Sequence, residues 1–563
     1  MPVLNFPPYH PDVDDLNQGY TTTVMNVLPQ ADGYGPFPGL SVFSQALPAR
    51  PRGLFFGTRA NGSVRVFAGT QTKLYALDNT TLDWIDVSLS DGTYSALDDN
   101  ENWQFAQFNS KIIAVQANAA AQVIDIEADY SSVNFANLAG SPPQASHVTT
   151  VNRFLVLSGL NSNRNRIHWS GLNDIEEWTS GVNFSDFQDL PDGGRVQAVV
   201  GGEFGVILQD TAIRRMVFSP GSDIVFQIDR IAKDIGAVNT DTICDVGGNI
   251  YMWSTKGFVR IGGDGSISPI GKERVDRTFD ATYDDSDFSL VQGAGDPNSH
   301  RVYWAYRSEA NSLSTWDKGL VYDTILDRWA PFEVEGTFLA SISRPGLTLE
   351  ALATIGAVDI SNAANNGSGL IRLTVTSTSG WTTGDIKTVA DVGGTTEANG
   401  TWTITVIDGT NIDLQGSTYA NAYTSGGYVE GSLDDLDVSL DSFAVASRAE
   451  IAAFNDDFRL CFFSGDNLEA TLESSEQSAV AKRLFVRGVY PITDASDAYA
   501  SVGRRENRYA SPSYTSETAI NTQGYCPQRA STRHARARLR IPEGATWTYA
   551  TGVEPDVGSE GRR

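Results

Sequence analysis

The chain has 563 residues, 41% hydrophobic and 10% aromatic, ample for packed cores, so disorder is not the default reading. A formal net charge of −27 argues against a broad phosphate-neutralising surface for nucleic acid; taken alone it reads as general solubility, and it leaves open a duct through which DNA slides without sticking. Cys244, Cys461 and Cys526 are widely spaced and form neither a disulfide framework nor a zinc motif, and no run of about 18 apolar residues suggests a membrane span.

Met1 to Pro8 lacks the basic and apolar regions of a secretory signal. Residues 1–50 are rich in Pro, Gly and Asn, as in Leu16-Asn17-Gln18-Gly19-Tyr20 and Tyr34-Gly35-Pro36-Phe37-Pro38-Gly39-Leu40. Apart from Thr22 to Leu28 they carry little strand pattern. They read as an extended arm that lies on its own body or on a neighbouring subunit.

Residues 51–354 are organised around a short apolar strand that keeps returning: Val64–Gly69, Lys111–Val115, Arg153–Leu157, Phe204–Leu208, Asn249–Trp253 and Arg301–Ala305. The first residues of successive copies lie 42 to 52 positions apart. A period of roughly 40–50 residues suits a four-stranded propeller blade. Near-continuous apolar runs are expected of strands covered on both faces. Turn residues fall between them, as at Asn61-Gly62, Asn109-Ser110, Gly201-Gly202 and Gly247-Gly248. The outer strands of the first four units are read at Trp84–Ser88, Ser132–Ala136, Glu177–Ser180 and Val225–Asp229. Six blades read cleanly, and Phe338–Ser343 starts a seventh. The expected fold is therefore all-β: a β-propeller of six or seven blades, with N- and C-terminal β or extended segments.

Over 355–430 the composition shifts to Thr, Ser, Gly and Asn. Strands at Leu370–Thr376, Ile386–Val389, Thr401–Val406 and Ile412–Gln415 predict a small inserted β domain whose two ends lie close together. The blade pattern resumes over 431–480 at Arg448–Phe454, Arg459–Ser464 and Leu468–Leu472, leaving more chain than one blade needs. The last segment, 481–563, has strands around Leu484–Tyr490 and Arg536–Ile541. Between Gly503 and Ile541 lie eight Arg and two Glu, the one strongly basic stretch. Alternation with Ala535, Ala537 and Leu539 puts Arg536, Arg538 and Arg540 on one strand face. With Arg533 they form either a solvated face balancing an acidic neighbour or a docking surface for an acidic partner; the residues leave both open.

Catalytic signatures are sparse. His10, His147, His168, His300 and His534 fall in no metal spacing, and no nucleophile elbow, P-loop or calcium loop occurs. No catalytic, cofactor-binding or metal-binding residue is assigned, and an enzyme is not expected. Carboxylates cluster at Asp284, Asp285 and Asp287 and at Asp434, Asp435 and Asp437, the raw material a propeller glycosidase would need. Thr315-Trp316-Asp317-Lys318-Gly319 loosely resembles a sialidase Asp-box, but it stands alone and reads as a turn into a strand.

Val27-Leu28-Pro29 with Tyr34–Leu40, Asp234-Ile235-Gly236-Ala237 through Gly247–Phe258, and Ile541-Pro542-Glu543-Gly544-Ala545-Thr546-Trp547 with Gly552-Val553 and Gly561-Arg562 resemble a family of tail nozzle or hub proteins from short-tailed bacteriophages, akin to tail tube B proteins that stabilise packaged DNA. The insert, with Ser379–Asp385, Val392–Trp402, Ile407–Thr410 and Tyr423–Gly427, resembles a small β module of phage virion proteins, similar to the first catalytic-cysteine half-domain of ubiquitin-activating enzymes. It contains no cysteine, so no ubiquitin chemistry follows. The resemblance implies a structural protein of the virion tail, assembled as a hexameric ring. That ring would conduct and retain DNA without sequence-specific binding and contact the adaptor and portal complex, tail fibre or spike, and needle or plug proteins. The alternatives are a carbohydrate-binding or glycan-cleaving propeller at the tail tip and a cellular interaction scaffold.

Overall fold

The computed structural model describes residues 3–14, 19–345, 357–429, 449–478 and 483–559, apart from 80, 91, 99, 131, 223, 379 and 380. Among these residues it is nearly all β, with one short α-helix, Asp276–Asp280. Seven four-stranded antiparallel sheets follow in chain order. The first six run over Leu54–Asp86, Gln104–Asn137, Ala145–Asp189, Val196–Lys233, Cys244–Pro269 and Gln292–Phe332, each built from consecutive strands.

Period-two geometry explains the apolar runs. In the second sheet Ile112 and Ala114 join a core with the first sheet, while Ile113 and Val115 join a core with the third. One sheet on, Leu155 and Leu157 look back and Phe154 and Val156 look forward. Further cores join sheet four to five, five to six and six to seven. Phe338, Ile342 and Phe454 of the seventh sheet share a core with Val64 and Val66 of the first. Indole N–H groups tie neighbours together as well: Trp103 donates to the Thr70 carbonyl at 2.8 Å, and Trp304 to that of Thr242 at 2.9 Å.

The seventh sheet is assembled from distant parts of the chain. Phe338–Ser343 pairs with Ala449–Phe454, which pairs with Arg459–Asn467, and the outer strand is Pro38–Ala46. The strand read at Leu468–Leu472 belongs elsewhere. Ala470–Glu473 pairs with His534–Ile541 in a different sheet, which accounts for the surplus chain after the insert. In the third sheet the outer strand is Asp186–Asp189, not Glu177–Ser180. Its Asp-Phe-Gln-Asp sequence is largely exposed and carries no alternation to mark it.

The expected arm is itself woven in. Leu4–Asn5, Val27–Gln30 and Gly33–Pro36 join Ala550–Ser559, Leu484–Thr493 and Cys526–Thr532 in a six-stranded sheet. Val24–Met25 joins Ala470–Glu473, His534–Ile541, Tyr499–Arg505 and three two-residue strands in a seven-stranded sheet. Phe6, Val27 and Tyr34 from one end of the chain share a core with Val486, Leu539 and Val553 from the other. The two sheets thus form a sandwich from both chain ends, and Phe37 continues its core onto Phe332 of the sixth sheet, ring centroids 4.8 Å apart.

The insert is a closed six-stranded barrel, Val358–Asn365 to Tyr428–Val429, with its own core of Ile360, Leu373, Ile404 and Leu414 among others. Val358 pairs with Val429, so its ends adjoin, and Ser343 pairs with Ala449 where the seventh sheet is interrupted. No helix among the described residues is long and apolar enough to cross a membrane.

Candidate functional site

The first strands of the sheets converge on a polar cavity of about 770 Å³. Gln104 of the second sheet, Ser146 and His147 of the third and Gln197 of the fourth meet Thr240 and Asp241 there. Those two residues sit in the 3-10 turn before the fifth sheet, a turn started by Asn239, whose side chain accepts from the Asp241 N–H. A second cavity, about 430 Å³, is lined by first strands of sheets one, two, six and seven and shares Gln104, Thr240 and Asp241 with the first.

Asp241 is the centre of this site. Its carboxylate accepts from Asn102 Nδ2 at 2.7 Å and from Gln104 Nε2 at 2.9 Å. Burial raises its pKa, and these two amide bonds and the charge of Arg52 work against that rise. Arg52, itself buried, orients Asn102 by donating from Nε to Oδ1 at 2.8 Å. Thr240 Oγ1 donates to the Gln197 carbonyl at 2.8 Å and lies 3.5 Å from His147 Nε2. Burial, then the charges of Arg164 and Arg195, lower the pKa of His147 to about 3, so its ring is neutral at pH 7.

Glu101 and the two arginines line the same cavity. Glu101 Oε1 is 3.6 Å from Arg164, whose guanidinium also donates to Ser146 Oγ at 3.1 Å. Arg195 lies 3.3 Å from Asp210. Burial raises the Glu101 carboxyl, with Arg164 opposing. Its Oε2 and the Nδ1 of His147 are buried and have no hydrogen-bond partner among the described residues. Among the same residues no group of three or more His, Cys, Asp or Glu is placed to hold a metal ion.

The four arginines singled out by the sequence lie far from this cavity in the chain-end sandwich. Arg536 is buried, 3.2 Å from Glu476 and 3.6 Å from Glu473. Arg538 binds Glu473 at 2.6 Å and lies over the Tyr514 ring at 3.6 Å. Arg540 pairs with Glu469 at 3.0 Å and Glu517 at 2.8 Å, and Arg533 is exposed, 3.9 Å from Glu506. An acidic neighbour within the chain therefore answers each of them.

Asp284 and Asp287 cap turns, accepting from Ser286 N at 2.8 Å and Ser289 N at 3.0 Å, and pair with Arg307 and Arg50. Asp434, Asp435 and Asp437 lie outside the described residues. Asp317 accepts from the N–H and hydroxyl of Ser308, and Trp316 is fully buried, so that stretch is a turn entering a strand. His168 packs edge-on to Trp178. The three cysteines are buried free thiols, and burial raises the pKa of each. The sequence reading missed Asp241, Gln104 and Gln197. The one available signal was that each sits just before or at the start of a unit's first strand.

No family model matches the chain, and no curated protein matches it. Among solved structures, the chain is similar to a hydrazine synthase chain of Kuenenia stuttgartiensis at 12% identity and a TM-score of 0.32, over 53% of this chain and 92% of that one. It is similar to a functionally unknown protein of Desulfotomaculum acetoxidans DSM 771 at 11% and 0.31, over 55% and 98%. It is also similar to the PQQ-bound aldose sugar dehydrogenase of Streptomyces coelicolor at 12% and 0.29, over 50% and 93%.

Proposed function

We propose that the seven sheets are the blades of one β-propeller, clasped by the amino-terminal strand, and that the chain is a structural protein of a short-tailed phage tail. In this reading it is a ring-forming nozzle or hub that conducts and retains DNA and docks to adaptor, fibre and plug proteins. The observation that carries it is the division of the chain into three bodies: seven sheets in series, a chain-end sandwich whose core runs on into sheets five to seven, and an inserted barrel with a core of its own. The propeller, the chain-end sandwich and the inserted barrel each have an outer surface of their own. Such a chain can touch several partners at once, and head-to-tail contacts between copies close into rings. The net charge of −27 supports the same reading, because acidic walls repel a DNA backbone and let it slide. Function here is assembly, not turnover.

The test is electron microscopy of the purified chain and of the particles that carry it. Rings seen end-on, with antibody label at the tail of the particle, are the expected result. A chain that stays single at high concentration, is missing from particles, and hydrolyses polysaccharide would overturn the reading.

A further inference from the structure

The central cavity contains more hydrogen-bonding capacity than the protein uses. Glu101 Oε2 and His147 Nδ1 are buried acceptors or donors with no partner among the described residues. Thr240 gives its hydroxyl proton to the Gln197 carbonyl, so its oxygen faces the His147 Nε2 as an acceptor, which leaves Nδ1 the bare acceptor of a neutral ring. A buried acceptor without a donor costs free energy, and a ligand hydroxyl removes that cost. Donors sit at the same mouth: the side chains of Arg164 and Arg195 are 42% and 59% exposed while lining the cavity.

Charge narrows the class of ligand. Asp98, Glu101 and Asp241 face Arg164 and Arg195, so the lining is close to neutral with a slight acidic excess, inside a strongly acidic chain. An anion gains little there, and a cation finds Asp241 already engaged by two amides and Glu101 facing the charge of Arg164. Phe288 supplies one apolar wall. The volume, about 770 Å³, falls in the range of roughly 300–1,000 Å³ usual for small-molecule sites. A ligand bearing many hydroxyls, each both donor and acceptor, and one C–H face meets all of these conditions.

We propose that this cavity binds a short neutral saccharide, with Glu101 and His147 accepting from its hydroxyls and Arg164 and Arg195 donating to its oxygens. The proposal concerns binding alone and does not depend on whether the chain assembles into a ring.

The test applies the full chain to an array of neutral and acidic glycans, followed by calorimetry with methyl glycosides of the neutral sugars retained. Binding of neutral glycans is expected, weakened about tenfold or more in Glu101→Ala, as for loss of one hydrogen bond to a charged group. Because Glu101→Ala also releases Arg164, the rim variant Arg195→Ala is measured beside it, and both are checked for an unchanged melting temperature. Retention of acidic glycans alone, no retained glycan at all, or an affinity that neither variant changes would overturn the assignment and leave a cavity that holds water.

Discussion

The backbone N–H of Leu460 donates to the hydroxyl of Ser44 at 3.1 Å, joining residues 416 positions apart. The same oxygen accepts from the Trp84 indole at 3.2 Å, so one side chain ties the outer strand of the seventh sheet to its neighbour and to the first sheet. Ser44→Ala strands a buried N–H, and the expected loss is about 1–3 kcal/mol. Denaturant unfolding measures it. A change within error would mean that the clasp is held by its backbone ladder alone.

Glu476 is the keystone of the sandwich's charged face. It lies 2.7 Å from Arg505 and 3.2 Å from Arg536, all three buried. Removing one partner of a buried ion pair leaves unpaired charge in a dry site, at about 3–5 kcal/mol. Glu476→Ala should therefore unfold the sandwich early, seen as lost hydrogen-exchange protection in Leu484–Thr493 and His534–Ile541 while the inner strands of the seven sheets stay protected. Uniform protection in the variant would show that these charges are hydrated in solution.

Acid should loosen the amino-terminal segment through His10. Its ring stacks on Tyr20 with centroids 4.0 Å apart, and burial, then the charge of Arg274, lower its pKa from 6.5 to about 4. Between those values the unfolded chain binds a proton that the folded chain refuses, so the stability His10 contributes is complete above 6.5 and drains away as pH falls toward 4. His10→Gln removes this one dependence. The stability difference between parent and variant should shift against the parent from pH 7.5 to 4.5, which paired denaturant melts will show. A difference constant with pH would mean the ring is solvated.

The inserted barrel should be separable. Val358 pairs with Val429 and Ser343 pairs with Ala449, so a cut at each junction leaves two pairs of adjacent ends. Joining Arg344 to Ala449 through a short Gly-rich turn should leave the remaining sheets folded, with a melting temperature within about 5 °C of the parent, the shift expected for roughly 1–2 kcal/mol in a chain this large. Residues 357–429 alone should give dispersed amide resonances. A collapsed spectrum for the fragment would show that the barrel leans on its host.

The inner strands were legible because both faces are covered: Phe154 to Leu157 alternate between two cores, which forces four apolar residues in a row. The outer strand of the third sheet escaped that logic. Asp186–Asp189 is mostly exposed, and only its pairing with Arg166–Trp169 makes it a strand. The sandwich was hidden for a different reason. Val24 pairs with Leu472, and Leu4 with Val553, partners that no local window contains. The arginine alternation was visible, yet its meaning lay in Glu473 and Glu476 some sixty residues upstream, the one ending and the other just past a strand that looked like the end of the last sheet. The polar cavity needs Gln104, Gln197 and Asp241 from three separate units, and each is an ordinary polar residue until the fold brings them together.

A ribosome makes residue 38 hundreds of codons before it makes residue 467, so the strand Pro38–Ala46 must wait, unpaired, for almost the whole of translation. A fragment ending early keeps that strand and the first sheet's flank bare, an adhesive edge that invites degradation or clumping. Pairing of the seventh sheet therefore reports on how far synthesis has gone: a copy that ends before Arg459–Asn467 leaves the Pro38–Ala46 strand without its partner.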